Sequence, residues 1–159
     1  MRVEYINPFV EAAFNVLKEV LNTDVKRGDL YLKSSSMSIK GVAALVGLAG
    51  DVEGRVLFDM SKQTALSVAG IMNGEEFKVL DDMVKATITE LANMITAQAV
   101  TKLHDLGFKF DLTPPALFSG ENMEISNSLD VEALIVPMDL GPDGRDGKIE
   151  INVVIRERI

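Results

Sequence analysis

The 159-residue chain contains no cysteine and no tryptophan, and it has a single histidine, His104. Without cysteine the chain can form no disulfide and can supply no thiolate as nucleophile or metal ligand. One histidine is too few for a transition-metal cluster. His104 lies near the end of a predicted helix, where a histidine suits the helix dipole. Thiol chemistry is therefore excluded, and His104 is interpreted as a capping or surface residue.

Several longer patterns are also absent. No apolar run approaches the roughly 18 residues that a membrane-spanning helix needs. The first residues, MRVEYINPF, contain no long apolar stretch, so we expect no signal peptide and a cytoplasmic protein. Neither a phosphate-binding glycine loop nor a Gly-x-Ser-x-Gly nucleophile motif occurs. The chain has 16 Lys and Arg against 24 Asp and Glu, a net charge of −8, which argues against binding to nucleic acid or to an anionic membrane.

What is present is the composition of a globular protein. Apolar residues make up 47% of the chain, and its length suits one domain, residues 1–159. Helical spacing of apolar residues predicts three helices, over residues 8–22, 62–72 and 81–104. Asn7 is the predicted N-cap of the first helix, with Pro8 at its first position, and Ser61 caps the second.

The remaining segments are predicted to be strands. Residues 39–50 and 51–60 are predicted to form a hairpin that turns at Gly50-Asp51, although periodicity alone leaves a helix open for 39–50. A further strand should begin near Leu30. Pro114-Pro115 excludes a helix in the last third, where extended segments are predicted at 121–128, 130–140 and 147–159. Helices interleaved with hairpins predict an α/β fold in which three helices pack on a mainly antiparallel sheet.

The first and third helices show a weak internal similarity. When FVEAAFNVLKEVL is laid on ITELANMITAQAV, Glu11 matches Glu90 and Phe14 falls where Asn93 stands. Hairpin strands follow each helix, which suggests two related helix–hairpin halves. Phe14 belongs to the apolar stripe of its own helix, so we expect it in the core.

The third helix carries a polar pair on a face with little bulk. At about 100° per residue, the apolar stripe around Leu91 gathers on one side. Glu90 and Asn93 lie on the far side, roughly 60° apart and about 4.5 Å apart along the axis, with Ala86 and Ala97 beside them. That face carries no Lys or Arg. The residues leave two interpretations open: a solvated face whose small residues favour helix, or a contact helix that presents an acid and an amide.

An acid and an amide suit a limited chemistry. A carboxamide donates and accepts hydrogen bonds, so it can hold and orient a water molecule. Phosphoryl transfer depends mainly on such orientation and on electrostatics, and a glutamine amide positions water in small GTPases. A neighbouring carboxylate can pair with a lysine or arginine of a partner. Such a pair would act on a labile phosphoryl group that the partner holds together with its metal ion.

The motif Glu-Leu-Ala-Asn at 90–93, followed by Pro114-Pro115, resembles the CheC–CheX–FliY family of chemotaxis phosphatases. The resemblance extends to chain length, helix–hairpin order and loss of the motif from the first helix, and it is strongest to CheX-like members. It implies dephosphorylation of the response regulator CheY, with Glu90 bonded to a CheY lysine and Asn93 orienting the attacking water. It also implies a CheC-like fold with a pseudo-twofold axis.

The resemblance has further implications for cofactors and assembly. Mg²⁺ is expected in the acidic pocket of CheY, with no cofactor in this chain. A homodimer joined through sheet edges is expected, and the final strand is the candidate for that pairing if it lies on an edge. The first helix is expected to be inactive because Phe14 replaces the amide. Ala86 stands where the family often has Asp or Ser, which leaves that position without an assigned role.

Two other functions remain open. One is a non-catalytic module that binds phosphorylated CheY, or an adaptor of the flagellar switch. The other is a dimeric scaffold without phosphate chemistry. Turnover of the phosphoryl group distinguishes the phosphatase from both.

Overall fold

The computed structural model describes residues 3–33, 37–126 and 132–157. Within these ranges the chain forms helices α1 (Val3–Leu21), α2 (Lys62–Asn73) and α3 (Asp82–Asp105). The strands are β1 (Val25–Arg27), β2 (Tyr31–Lys33), β3 (Met37–Ser38), β4 (Gly41–Gly50), β5 (Val52–Ser61), β6 (Phe110–Leu112), β7 (Ala116–Ser119), β8 (Glu124–Ile125), β9 (Ala133–Leu140) and β10 (Gly147–Glu157). The ends of the predicted strands at residues 127–131 and 158–159 lie outside the described residues.

Eight of these strands form one sheet in the order β1-β9-β10-β5-β4-β6. At one edge of the sheet, β2 pairs with β9 as β1 does. At the other edge, β7 pairs with β4 as β6 does. All strand pairs among the described residues are antiparallel. From either edge inward, the sheet has two short strands followed by the two long strands of a hairpin. This arrangement agrees with two helix–hairpin halves related by a pseudo-twofold axis, and the short strands of each half pair with the hairpin of the other.

The main core lies between the helices and one face of this sheet. Apolar side chains from all three helices meet alternate residues of the long strands there. The largest fully buried members are Tyr5, Phe9, Phe58, Leu17, Met60, Ile88, Ile95, Leu103, Met138 and Leu140. Burial of this apolar surface stabilises the packing of the helices on the sheet. No helix in the described part of the chain is both long enough and apolar enough to cross a membrane.

Capping residues fix the ends of α2 and α3 close to the predicted positions. The Ser61 hydroxyl accepts a hydrogen bond from the Thr64 backbone N–H at 3.1 Å, and Gly74 ends α2 in the left-handed conformation. Asp81 caps α3 by accepting from the Val84 N–H at 2.9 Å. The predicted hairpin at Gly50 is also confirmed, since β4 pairs with β5 along nearly its whole length.

The predicted start of α1 is wrong. The helix begins at Val3, so Asn7 is an internal residue and Pro8 lies inside the helix. Pro8 has no N–H to donate within the helix, which removes one backbone hydrogen bond. Tyr5 and Phe9 are 1% and 0% exposed, and their burial on the core side outweighs this loss.

The final strand is not on an edge. β10 lies between β5 and β9 and is hydrogen-bonded to both, so it cannot pair with another chain. Side chains on both of its faces are buried, including Asn152 and Val154 on the face opposite the main core. The edges are instead the short strands β1 and β2 on one side and β6 and β7 on the other. Strand β1 had not been predicted from the sequence.

The sheet face opposite the main core contains a buried carboxyl group, Asp59. Its side chain is 1% exposed, and one oxygen accepts from the Lys40 backbone N–H at 2.9 Å. The other oxygen has no hydrogen-bond partner among the described residues. Burial raises the pKa of Asp59 to about 6 from the usual 3.8, although Lys40 acts in the opposite direction.

We expect Asp59→Asn to stabilise the protein in a pH-dependent way. Because the folded-state pKa is raised, ionisation of Asp59 destabilises the native state as the pH rises from about 4 through 6. Asparagine keeps an acceptor for Lys40 without the charge. Relative to wild type, the variant should gain on the order of 1 to 3 kcal/mol at pH 8 and much less at pH 4.5, as measured by urea denaturation. The exposed Asp29→Asn is the control, and an equal effect of Asp59→Asn at both pH values would contradict the expectation.

Candidate functional site

Helix α3 buries one face and leaves the other open. Val84, Ile88, Leu91, Ile95 and Leu103 are at most 2% exposed and belong to the core. The opposite side is exposed along a line of five residues, which we call the α3 stripe: Met83, Ala86, Glu90, Asn93 and Ala97. The predicted division of the helix into an apolar and an open face is confirmed.

The structure brings Glu90 and Asn93 together in the middle of the α3 stripe. Both are exposed, and their Cα atoms are separated by about 4.5 Å along the helix axis. Within the described residues, neither side chain makes a hydrogen bond or an ion pair to another group. Ala86 and Ala97, one turn to either side, are also exposed and leave open space around the pair. A carboxylate and a carboxamide are thus available to a partner that approaches this face.

The hydroxyl groups beside the stripe are turned back onto their own helix. Thr89 donates to the Lys85 carbonyl at 2.9 Å, and Thr101 donates to the Ala97 carbonyl at 3.0 Å. These local bonds satisfy the hydroxyls in the way common for threonine in helices. They leave Asn93 as the group on the stripe that can both donate and accept toward a partner.

Contacts with the other helices fix the position of α3. Both α1 and α2 pack against it. From the end of α2, the Asn73 amide donates to the Thr87 hydroxyl at 2.9 Å, and this hydroxyl donates to the Met83 carbonyl at 2.8 Å. The site therefore sits on a regular helix whose start is tied to its neighbour, which is the kind of support that a precisely oriented group needs.

Helix α1 presents an equivalent line of exposed residues with different chemistry. Under the sequence match of Glu11 to Glu90, its exposed residues Glu4, Asn7, Glu11, Phe14 and Lys18 take the places of the α3 stripe. Phe14 is 36% exposed, so the prediction that it lies in the core is wrong. The helix buries its neighbours on the other side, which leaves Phe14 on the surface at the place equivalent to Asn93.

The α1 face is also occupied by lysines. Lys102 of α3 forms an ion pair with the Glu11 carboxylate. The Lys18 ammonium lies 5.8 Å from the centre of the Phe14 ring, within the range of a cation–π contact. The acid on α1 is thus already paired, the amide is missing, and a long side chain replaces the alanine. The α1 face therefore lacks an unpaired acid and an amide, and its inactivity stays a prediction.

The surroundings of the α3 stripe favour a macromolecular partner. A surface groove lies elsewhere, between α2 and residues 145–147. The stripe is an open helix surface, which a small molecule would contact on one side only. Among the described residues, no group of three or more His, Asp and Glu side chains is placed to hold a metal ion.

Comparison with known proteins gives the family. A family model described as chemotaxis phosphatase CheX matches residues 42–139, which include nearly all of the β4–β5 hairpin, α2, α3 and the Glu90–Asn93 pair. The chain belongs to the CheX family. Membership of this family of chemotaxis phosphatases assigns the chain to the protein phosphatases.

Relatives that match most of the chain agree with this assignment. A CheY-P phosphatase CheX from Thermotoga maritima is 29% identical over 128 residues, covering 80% of this chain and 83% of the relative. One chain in the crystal structure of a CheX-CheY-BeF3-Mg²⁺ complex from Borrelia burgdorferi is 50% identical in sequence to this chain. The match covers 98% of this chain and 100% of that chain, with a TM-score of 0.84. A CheC-like superfamily protein from Shewanella sp. PV-4 is 30% identical, with 98% and 99% coverage and a TM-score of 0.87. These likenesses confirm the predicted CheC-like fold.

Sequence reasoning did not assign Met83 to the open face. It is 54% exposed and lies two helical turns before Glu90 on the same side of α3. Its spacing of seven residues from Glu90 is the signal that places it there, since seven residues complete almost two turns.

We expect the two site residues to contribute little to stability. Because they are exposed and unpaired among the described residues, Glu90→Ala and Asn93→Ala should each change the free energy of unfolding by less than about 0.5 kcal/mol. By contrast, Leu91→Ala on the buried face, where Leu91 is 2% exposed, should cost about 2 to 5 kcal/mol. Urea denaturation measures all three. A loss above about 1 kcal/mol in Asn93→Ala would mean that its amide is already engaged in the fold.

Proposed function

We propose that this chain hydrolyses the aspartyl phosphate of CheY, and that residues 1–159 act as a single phosphatase domain. One observation carries the proposal. In a member of the CheX family, an exposed acid and amide, Glu90 and Asn93, lie on α3 between Ala86 and Ala97, whose small side chains leave the pair accessible. Relatives described as a CheY-P phosphatase and as a CheX-CheY complex support CheY as the substrate.

The proposed role of Asn93 is to hold the attacking water. Its carboxamide oxygen accepts a hydrogen bond from the water, so that a water lone pair can point at phosphorus. As the new P–O bond forms, the bond between phosphorus and the aspartyl oxygen breaks, giving inorganic phosphate and a free carboxylate. The amide is too weak a base to take the proton, which leaves with the phosphate product. Orientation is the contribution of this chain, and phosphoryl transfer depends strongly on it.

The proposed role of Glu90 is docking. Its carboxylate can form a charge-assisted hydrogen bond to a CheY lysine and so set the register in which Asn93 approaches the phosphoryl group. Mg²⁺ belongs to the CheY pocket in this proposal, and the presence of BeF3 and Mg²⁺ in the Borrelia burgdorferi complex supports that placement. Bound there, Mg²⁺ would neutralise charge on the phosphoryl oxygens.

The assembly is part of the same proposal. We place the protein in the cytoplasm as a homodimer joined through an edge of its sheet. The edge at β2 is favoured because Leu30, Tyr31 and Leu32 are 38%, 39% and 58% exposed beside it. An exposed apolar edge strand pairs readily with another strand.

The first functional prediction concerns Asn93. We expect Asn93→Ala to lower the kcat for phosphate release from phosphorylated CheY by about 10²-fold, because the attacking water loses its orientation. Glu90→Ala should raise KM as well as lower kcat, since it removes a docking contact. Release of phosphate in excess of CheY self-hydrolysis is the measurement.

Two variants on α1 are the matched controls. Asn15→Ala and Glu11→Ala remove the same functional groups from exposed positions of the other helix, and both should retain wild-type rates. Full activity in Asn93→Ala would disprove the water-positioning role. Tight binding of phosphorylated CheY by wild type, with no change in phosphoryl half-life, would favour the non-catalytic binding module.

A second prediction concerns the open space beside Asn93. Ala97→Lys should lower kcat/KM by about tenfold or more, because a long side chain one turn from Asn93 obstructs the close approach of the partner. Gln63→Lys places the same side chain at an exposed position on α2 and should have little effect. If both variants keep wild-type kcat/KM, the small residues of the stripe are not needed for docking.

A further inference from the structure

Two large apolar side chains are exposed at the start of α3. Val79, in the segment before the helix, is 61% exposed, and Met83, in its first turn, is 54% exposed. We call this pair the Val79–Met83 corner. Most apolar residues near it are instead packed on the core, including Phe77 and Leu80. Val79 and Met83 are four residues apart in the chain, and exposed apolar surface of this kind can mark an interaction site.

The corner is held in a fixed position relative to the site. The Asp81 N–H donates to the Val79 carbonyl at 2.9 Å, and the Asp81 carboxylate caps the helix. The Met83 carbonyl accepts from Thr87, which is itself bonded to Asn73 of α2. The backbone that carries the two side chains is therefore fixed before any partner binds, which lowers the entropic cost of using them for binding.

The corner continues the α3 stripe. Met83 lies almost in line with Glu90, about 10.5 Å before it along the helix axis, and about 15 Å before Asn93. A partner that placed its phosphoryl group at Asn93 and its lysine at Glu90 would extend along the helix toward Met83. On α1 the equivalent place is taken by the charged residue Glu4.

Charge alone does not account for binding to a partner with an acidic pocket. This chain has a net charge of −8, and the α3 stripe carries no cation. One pair between Glu90 and a lysine provides register but little net free energy at an exposed site. The alanines of the stripe bury little area. Apolar contact does not depend on charge, so an apolar group near the pair can supply free energy of binding that the pair does not.

We propose that Val79 and Met83 are the apolar anchor by which this chain binds phosphorylated CheY. The inference rests on the proposed function and adds to it a determinant of affinity. It requires an apolar patch on CheY about 15 Å from its phosphorylated aspartate. Methionine suits this role because its flexible thioether adapts to an uneven apolar surface. The anchor binds the ground state and the transition state alike, so it acts on KM and not on kcat.

The test compares Met83→Ser and Val79→Ser with Leu106→Ser. Leu106 is 58% exposed at the other end of α3, off the stripe, and is the matched control. Steady-state phosphate release from phosphorylated CheY gives KM and kcat, and titration with CheY loaded with beryllofluoride and Mg²⁺ gives Kd. Each of the two serine variants in the corner should raise KM and Kd about tenfold, with kcat near the wild-type value. Met83→Leu, which keeps an apolar side chain, should have the wild-type KM and Kd. Leu106→Ser should leave all three unchanged.

Several outcomes would overturn the inference. It fails if Met83→Ser keeps the wild-type KM and Kd, or if Leu106→Ser raises them equally. It also fails if sedimentation shows that Met83→Ser dissociates a wild-type dimer, because the corner would then bind a second copy of the chain. Failure of the proposed function is distinguishable: Asn93→Ala would keep its rate, while the effect of the corner on Kd would persist.

Discussion

Burial of one face of α3 is the constraint on which the rest of the structure depends. Leu91 and Ile95 are 2% and 0% exposed in the core, and this burial fixes the rotation of the helix about its own axis. Because successive residues differ by about 100°, a rotation by one residue would turn Asn93 toward the protein and expose part of the core. The cost of exposing those side chains, about 1.5 to 3 kcal/mol each, keeps the pair of site residues directed at the solvent. The direction in which Glu90 and Asn93 point is thus set by the packing of the opposite, buried face of α3.

The twofold arrangement of the fold gives two surface helices, but their exposed faces differ. On α3 the acid and the amide have alanines on either side, whereas on α1 Phe14 and Lys18 take the places of Asn93 and Ala97. The Glu11 carboxylate is paired with Lys102, which comes from α3 itself. The two faces share a backbone scaffold and differ in charge and bulk. A partner can therefore distinguish α3 from α1 by the side chains of the exposed face alone.

The parts of the fold with local signals could be predicted from the sequence. Caps and periodicity placed α2, α3 and the long hairpin, and the wheel of α3 placed Glu90 and Asn93 on an open face. The start of α1 could not be predicted, because long-range burial of Tyr5 overrides the local preference of a proline. The central position of β10 and the existence of β1 depend on pairing between segments that are distant in the sequence. In addition, the three residues of β1 are too few to show the alternation that predicts a strand. The identity of the partner came from resemblance, since an acid and an amide by themselves specify no substrate.

The central claim is that α3 presents Asn93 to the phosphoryl group of CheY. The most direct measurement is a structure of this chain bound to CheY loaded with beryllofluoride and Mg²⁺. We expect α3 to face the acidic pocket, with Glu90 bonded to a CheY lysine and the Asn93 carboxamide within one water molecule of the beryllium. Contact through α1, or an Asn93 side chain that points away from the pocket, would contradict the account.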